Sequence, residues 1–166
     1  MKKWLAALCA AILLCAACCA AAESPAAYES TGAFLALMDA KDMTYTLDGL
    51  DGEAREKVVI RNTDAGGNTY DISYFFEPGD ERCALRVWNL ITFDAAKRAE
   101  VLRALNTLNS EYRYVRFHAD ESDNTITASM DLIFHREDAA LIVWEATLHL
   151  VDILETGCPA LAAYGK

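Results

Sequence analysis

LNTLNSEYRYVRFHADESDNTITASMDLIF, Leu105–Phe134, is the stretch whose periodicity decides the fold of this 166-residue chain. In its second half Ile126, Ala128, Met130, Leu132 and Phe134 alternate with Thr125, Thr127, Ser129 and Asp131, the pattern of a strand with one face in a core and one near water. The polar run Asp120 to Asn124 reads as a hairpin turn, so Glu111 to Ala119 is predicted to be the strand that pairs with it, antiparallel. Ahead of this hairpin, the spacing predicts a helix capped by Thr92 or Asp94 and ending near Asn109. Ala95, Ala99, Leu102 and Leu105, widened by Val101 and Leu108, form its apolar stripe, and Lys97, Arg98, Glu100 and Arg103 face water.

Working toward the start of the chain, Arg82 to Ile91 reads as a strand with Cys83, Leu85 and Val87 on one side. Pro78-Gly79-Asp80 is the turn before it. Tyr70, Ile72, Tyr74 and Phe76 alternate in the preceding strand, Asp64 to Gly67 turns, and Lys57 to Asn62 and Met43 to Leu47 make two further runs separated by a turn at Asp48 to Gly52. Short turns between consecutive strands predict an antiparallel meander. A first helix capped by Ser30 or Thr31 runs to Ala40, with Phe34, Leu35, Leu37 and Met38 on its apolar side. At the other end a helix is predicted from Glu137 to Thr156, closed by Gly157 and Pro159. The class is therefore α+β: an antiparallel sheet with helices packed mainly on one face, in the order α-β-β-β(-β)-α-β-β-α, forming a single domain over residues 30–166.

The helix end Leu105-Asn-Thr-Leu-Asn109, the Tyr/Phe strand after it, the polar turn, the strand ending in Asp131-Leu-Ile-Phe134 and the closing apolar helix resemble the YbjN-like family, which shares the fold of type III secretion chaperones. The resemblance spans approximately Ser30 to Tyr164. It implies a non-enzymatic protein: secretion chaperones dimerise and hold segments of other proteins, and YbjN-like proteins carry the label of sensory or regulatory factors.

The chain departs from that resemblance at its start. Lys2 and Lys3 precede an apolar run from Trp4 to Ala22, the layout of a bacterial export signal over residues 1–22, followed by a tether over residues 23–29. Two cleavage routes fit. Ala20 and Ala22 suit ordinary signal peptidase, whereas Cys15-Ala16-Ala17-Cys18 resembles a lipobox, with Cys15 where that pattern has an aliphatic residue, and would leave a lipidated Cys18 as the sole membrane anchor. On either route Cys9 and Cys15 are removed. The expected location is the cell envelope or the exterior. Of the two cysteines in the body of the chain, Cys83 reads as a buried strand residue and Cys158 as lying beyond the last helix. Their pairing depends on whether that helix end crosses that strand.

Aspartate and glutamate number 25 against 15 lysines and arginines, which argues against nucleic acid and against electrostatic binding to anionic lipid. Catalytic groups do not assemble in the sequence. His149 lies on one helical face with Glu145 and Asp152, ordinary spacing for a solvated polar face, and His118, His135 and the Asp120 turn are the only reserve for a hydrolase. No glycine-framed serine elbow, phosphate cradle or calcium loop is present, and no cofactor or metal is expected. Apolar groups stand instead where charge is expected. Arg86 and Trp88 fall opposite Leu85 and Val87, Ile133 falls with Asp131, and Tyr112 and Tyr114 fall opposite Val115. Leu141 and Leu148 sit among the charges of the last helix, as a second contact or buried beneath the first helix. The first set either lies beneath a helix or the N-terminal tether or marks the outer sheet face as a binding surface, and the reading taken is a surface for a protein segment or a second copy of the chain. A small-ligand carrier is the alternative and requires an enclosed pocket between sheet and helices.

Overall fold

A computed structural model describes residues 26–64 and 66–165. The export signal expected over residues 1–22, the first three residues of the tether, and Cys9, Cys15 and the lipidation candidate Cys18 lie outside the described residues. Within them the order is α1 (Glu29–Ala40), β1 (Thr46–Leu50), β2 (Glu56–Thr63), β3 (Thr69–Phe76), β4 (Arg82–Thr92), α2 (Arg98–Glu111), β5 (Arg116–Asp120), β6 (Thr125–Ile133) and α3 (Ala139–Ala162). The strands form one antiparallel sheet in the order β1-β2-β3-β4-β6-β5. The α+β class and the element order agree with the reading of the sequence, with the optional fourth meander strand present.

All three helices bear on one sheet face. Val58, Ile60, Ile72, Tyr74, Phe76, Leu85, Val87, Phe117, Ala128 and Met130 point into the core with Phe34, Leu35 and Met38 of α1, Val101, Leu105 and Leu108 of α2, and Val143, Leu150, Ile153 and Leu154 of α3. Burying each such large side chain contributes about 1.5–3 kcal/mol. At its centre the Phe34 ring lies 5.0 Å from Tyr74 and 5.6 Å from Phe76, both tilted, a favoured arrangement for aromatic quadrupoles. The Tyr74 hydroxyl, fully buried, meets the Thr147 hydroxyl of α3 at 3.1 Å, so this buried polar atom is satisfied.

Several boundaries move for identifiable reasons. Neither Ser30 nor Thr31 caps α1, which begins at Glu29. The Asp80 carboxylate, from the β3–β4 turn, accepts from the Ser30 N–H and hydroxyl at 2.9 Å each. The buried Glu56 at the head of β2 accepts from the N–H groups of Ala27 and Tyr28. Two acids distant in sequence thus serve the orphan donors at this helix start. β1 lies at Thr46–Leu50 rather than Met43–Leu47, because a bulge at Gly49, with φ +78°, carries the pairing through the expected turn. Helix α2 consumes Glu111, so β5 starts at Arg116. Finally, α3 passes through Gly157 and Pro159 to Ala162. Gly157 is a packing position and not a terminator: a Cβ there would sit 3.4 Å from the Tyr112 ring and 3.5 Å from that of Phe117.

Cys83 and Cys158 are free thiols. Cys83 pairs across from Phe76, whereas Cys158 adjoins Tyr70 at the other end of β3. Six strand residues separate those levels by about 20 Å, far past the roughly 7 Å between Cα atoms that a disulfide spans.

Candidate functional site

The sheet face turned away from the helices carries an open groove of about 1180 Å³. Its floor is polar. Val59 and the buried Ser73 lie between two ion pairs, Lys57 with Asp48 at 2.8 Å and Arg61 with Asp71 at 2.8 Å. The hydrogen bonds from Arg61 hold the Asp71 carboxyl below its ordinary range, so this pair stays charged at neutral pH. One wall is the segment Met43 to Thr46 and the other is Trp88 with Asn89.

That second wall exists because β4 is bulged. Between the pairs Val87↔Ala128 and Ile91↔Ile126, β4 advances four residues while β6 advances two. Asn89 takes up the excess with φ +55°, a left-handed conformation that asparagine tolerates better than most residues. The bulge projects Trp88 over the outer face, where its ring meets Phe75 edge-on at 5.6 Å and remains 45% exposed. The Arg55 guanidinium also lies over the Phe75 ring, 4.8 Å from its centroid. An aromatic on the outer face is thus buried against Trp88 and Arg55.

The sequence-predicted contact residues do not form one patch. Arg86 lies beside the groove wall, but its guanidinium is committed to Asp131 at 2.7 Å and to the carbonyls of Leu85 and Met130. Ile133 is 78% exposed on the same face, yet it pairs with Arg82, six residues from Trp88. That places it about 20 Å away along the strands. Tyr112 and Tyr114 belong to the helical side: the Tyr112 hydroxyl bonds the Thr156 hydroxyl of α3 at 3.0 Å, and the Tyr114 ring stands 6.0 Å from His149 of α3. The cause is that α2 ends later, at Glu111, and β5 begins only at Arg116, which takes both tyrosines out of the strand alternation on which their placement rested. Leu141 and Leu148 are exposed on α3 and are not covered by α1. Trp88 alone of the seven lines the groove. The groove residues that the sequence did not single out, chiefly Arg61, Asp71 and Ser73, sit at alternate positions of β2 and β3, and a Trp-Asn break in the alternation of β4 was the signal for the wall.

The histidines stay apart. His118 Nε2 lies 2.9 Å from the Ser129 hydroxyl on the β5–β6 hairpin, His135 precedes the turn into α3, and His149 faces Tyr114. Among the described residues no three His, Cys, Asp or Glu side chains converge as a metal site, and no helix is long and apolar enough to cross a membrane. A second concavity, of about 900 Å³, lies between the β2–β3 turn, the β4 bulge and the end of α3, where burial pushes the Cys158 thiol up to about 11.

A six-stranded antiparallel sheet that carries its helices on one face and leaves the other open to a groove defines an α+β sheet-and-helix class of protein. Within that class the chain belongs to the YbjN family, described as "Putative bacterial sensory transduction regulator", whose model matches residues 34–143, from α1 into the first turns of α3. No curated protein and no solved structure matches the chain.

Proposed function

We propose that this chain is an exported, non-enzymatic binding module that holds a segment of another protein in the groove on its outer sheet face, in a regulatory or chaperone-like role. The observation that carries this reading is Trp88, an aromatic kept half in water by a built bulge at the wall of a groove that, among the described residues, no helix covers. Tryptophan in such a position is characteristic of interface centres, where it supplies large contact area at little entropic cost. The family description supports a regulatory setting, and the resemblance to secretion chaperones supports a polypeptide as the occupant. Lys2, Lys3 and the apolar run to Ala22 support export to the envelope or the exterior, with a lipidated Cys18 as the one route to a membrane.

The test is sedimentation and thermal melting of protein isolated gently from its envelope, comparing wild type with Trp88→Ala and, separately, Ile133→Asp. Loss of association in Trp88→Ala at a melting temperature close to wild type supports the reading, with Ile133→Asp unaffected because it lies away from the groove. Association that survives Trp88→Ala refutes it, and a wild type that pairs only with itself replaces the protein segment by a second copy.

A further inference from the structure

β3 and β4 part half way along their length. They pair from Ser73↔Arg86 to Phe76↔Cys83. Below that level β3 runs back to Thr69 on its ladder with β2 alone, and β4 runs on to Thr92 held only by β6. The bulge at Trp88 and Asn89 lies at the point of divergence. In an antiparallel strand alternate residues aim their N–H and C=O groups to opposite sides. Two of the four residues from Thr69 to Ile72 therefore direct main-chain groups to β2, and two direct them into the split. The outer-face groove and the second concavity meet there, both lined by Thr69, Tyr70 and Asn89.

The outer edges of the sheet are managed differently. The Asn109 side chain occupies the backbone of Phe117 on β5, and β1 is short and bulged at Gly49, both recognised ways of blunting an edge. Among the described residues the split has no such guard, and just beyond it the free side of β4 already receives extended backbone. Phe93 donates its N–H to the Asn124 carbonyl on the β6 side, and on its other side it forms an isolated antiparallel bridge with Gly165.

We infer that the split between β3 and β4 is a strand-acceptor site, in which an extended segment of a partner polypeptide lies along Thr69 to Ile72, completes the main-chain ladder and rests a side chain against Trp88. This deepens the binding role proposed above and rests on it. Lys57 and Arg61 are neutralised by their own acids, while Asp64 and Glu155 add negative charge at the second concavity, so a segment bearing lysine or arginine is favoured.

Two peptide pools test this. The first contains octapeptides in which Thr, Val or Ile alternates with Ser, Gln or Lys, and the second contains the same sequences N-methylated at every other residue, which removes ladder donors and keeps the side chains. The readouts are amide exchange across the protein and Trp88 emission, taken as the difference between wild type and Trp88→Ala. The expected result is that millimolar first pool slows the two fast amides within Thr69 to Ile72 and shifts Trp88 emission, and that the second pool loses both effects. Equal action of the two pools on Trp88, or protection at β1 or β5 in place of β3, overturns strand insertion and leaves the outer-face binding role standing. No effect of either pool on exchange or emission overturns both.

Discussion

The side-chain amide of Asn109 bonds the backbone of Phe117 in both directions, its Nδ2 donating to the Phe117 carbonyl at 3.0 Å and its Oδ1 accepting from the Phe117 N–H at 2.8 Å. A residue at the end of α2 thereby stands in for a missing neighbour strand on the β5 edge. Replacing Asn109 by Leu leaves both backbone groups without partners, at an expected cost of about 1–3 kcal/mol, and uncovers a strand edge. Urea melts should show the destabilisation, and size-exclusion chromatography should show a concentration-dependent larger species absent from the wild type.

The start of α1 depends on acids from elsewhere in the chain. Asp80→Ala removes the acceptor for the Ser30 N–H and hydroxyl and is expected to cost about 1–2 kcal/mol, the range of a lost helix cap. Asp80 also has φ +61°, so Asp80→Gly relieves the backbone while losing the same cap and should be the milder of the two. Limited proteolysis should find new cleavage between Ala26 and Thr31 in both variants before the global melt.

Gly157 offers a test with opposite signs. Gly157→Ala adds a Cβ at ordinary contact distance from Tyr112 and Phe117 and gains helix propensity, so a stabilisation of up to about 1 kcal/mol is expected. Gly157→Leu drives the Tyr112 ring from its place against Thr156 and should destabilise. Thermal melts of the two variants decide this.

Alkaline pH should weaken the fold. Burial raises Cys158 to about 11 and also raises Cys83 and Tyr74, so the native state keeps protons that the unfolded chain gives up. The stability these groups contribute is fully present below their unfolded pKa values and is lost as pH rises through the native ones, which for Cys158 means a decline from about pH 8.5 toward 11. Urea midpoints measured across that window should fall. Native thiol labelling should be slow at Cys158 and await unfolding at Cys83, and no disulfide should form under mild oxidation.

The legible part of this fold was whatever one period repeated long enough. The alternation of Thr125 to Phe134 and of Tyr70 to Phe76 placed β6 and β3, and with them the core face of the sheet. What escaped depended on partners far off in the sequence. The caps of α1 come from Glu56 and Asp80 and not from its own Ser30 or Thr31, whose hydroxyl at Thr31 is buried without a partner. Local turn signals also misled: Asp48-Gly49 is a bulge inside β1, and Gly157 with Pro159 lies within α3. For the site, strand parity found Trp88 and Arg86 on the outer face. Parity has no distance in it, however, so it grouped Ile133 with Trp88 across the length of the sheet and carried Tyr112 and Tyr114 over from a strand that begins later.

Occupation of the outer-face groove by a polypeptide segment at Trp88 is read out by placing a photo-crosslinking phenylalanine analogue at position 88 and, separately, at position 133, in the cell that makes the protein. After irradiation, the mass of the purified protein should show one discrete added polypeptide for position 88 and the bare chain for position 133. A bare chain at both positions, or the same adducts at both, would mean that no polypeptide segment is held specifically at Trp88.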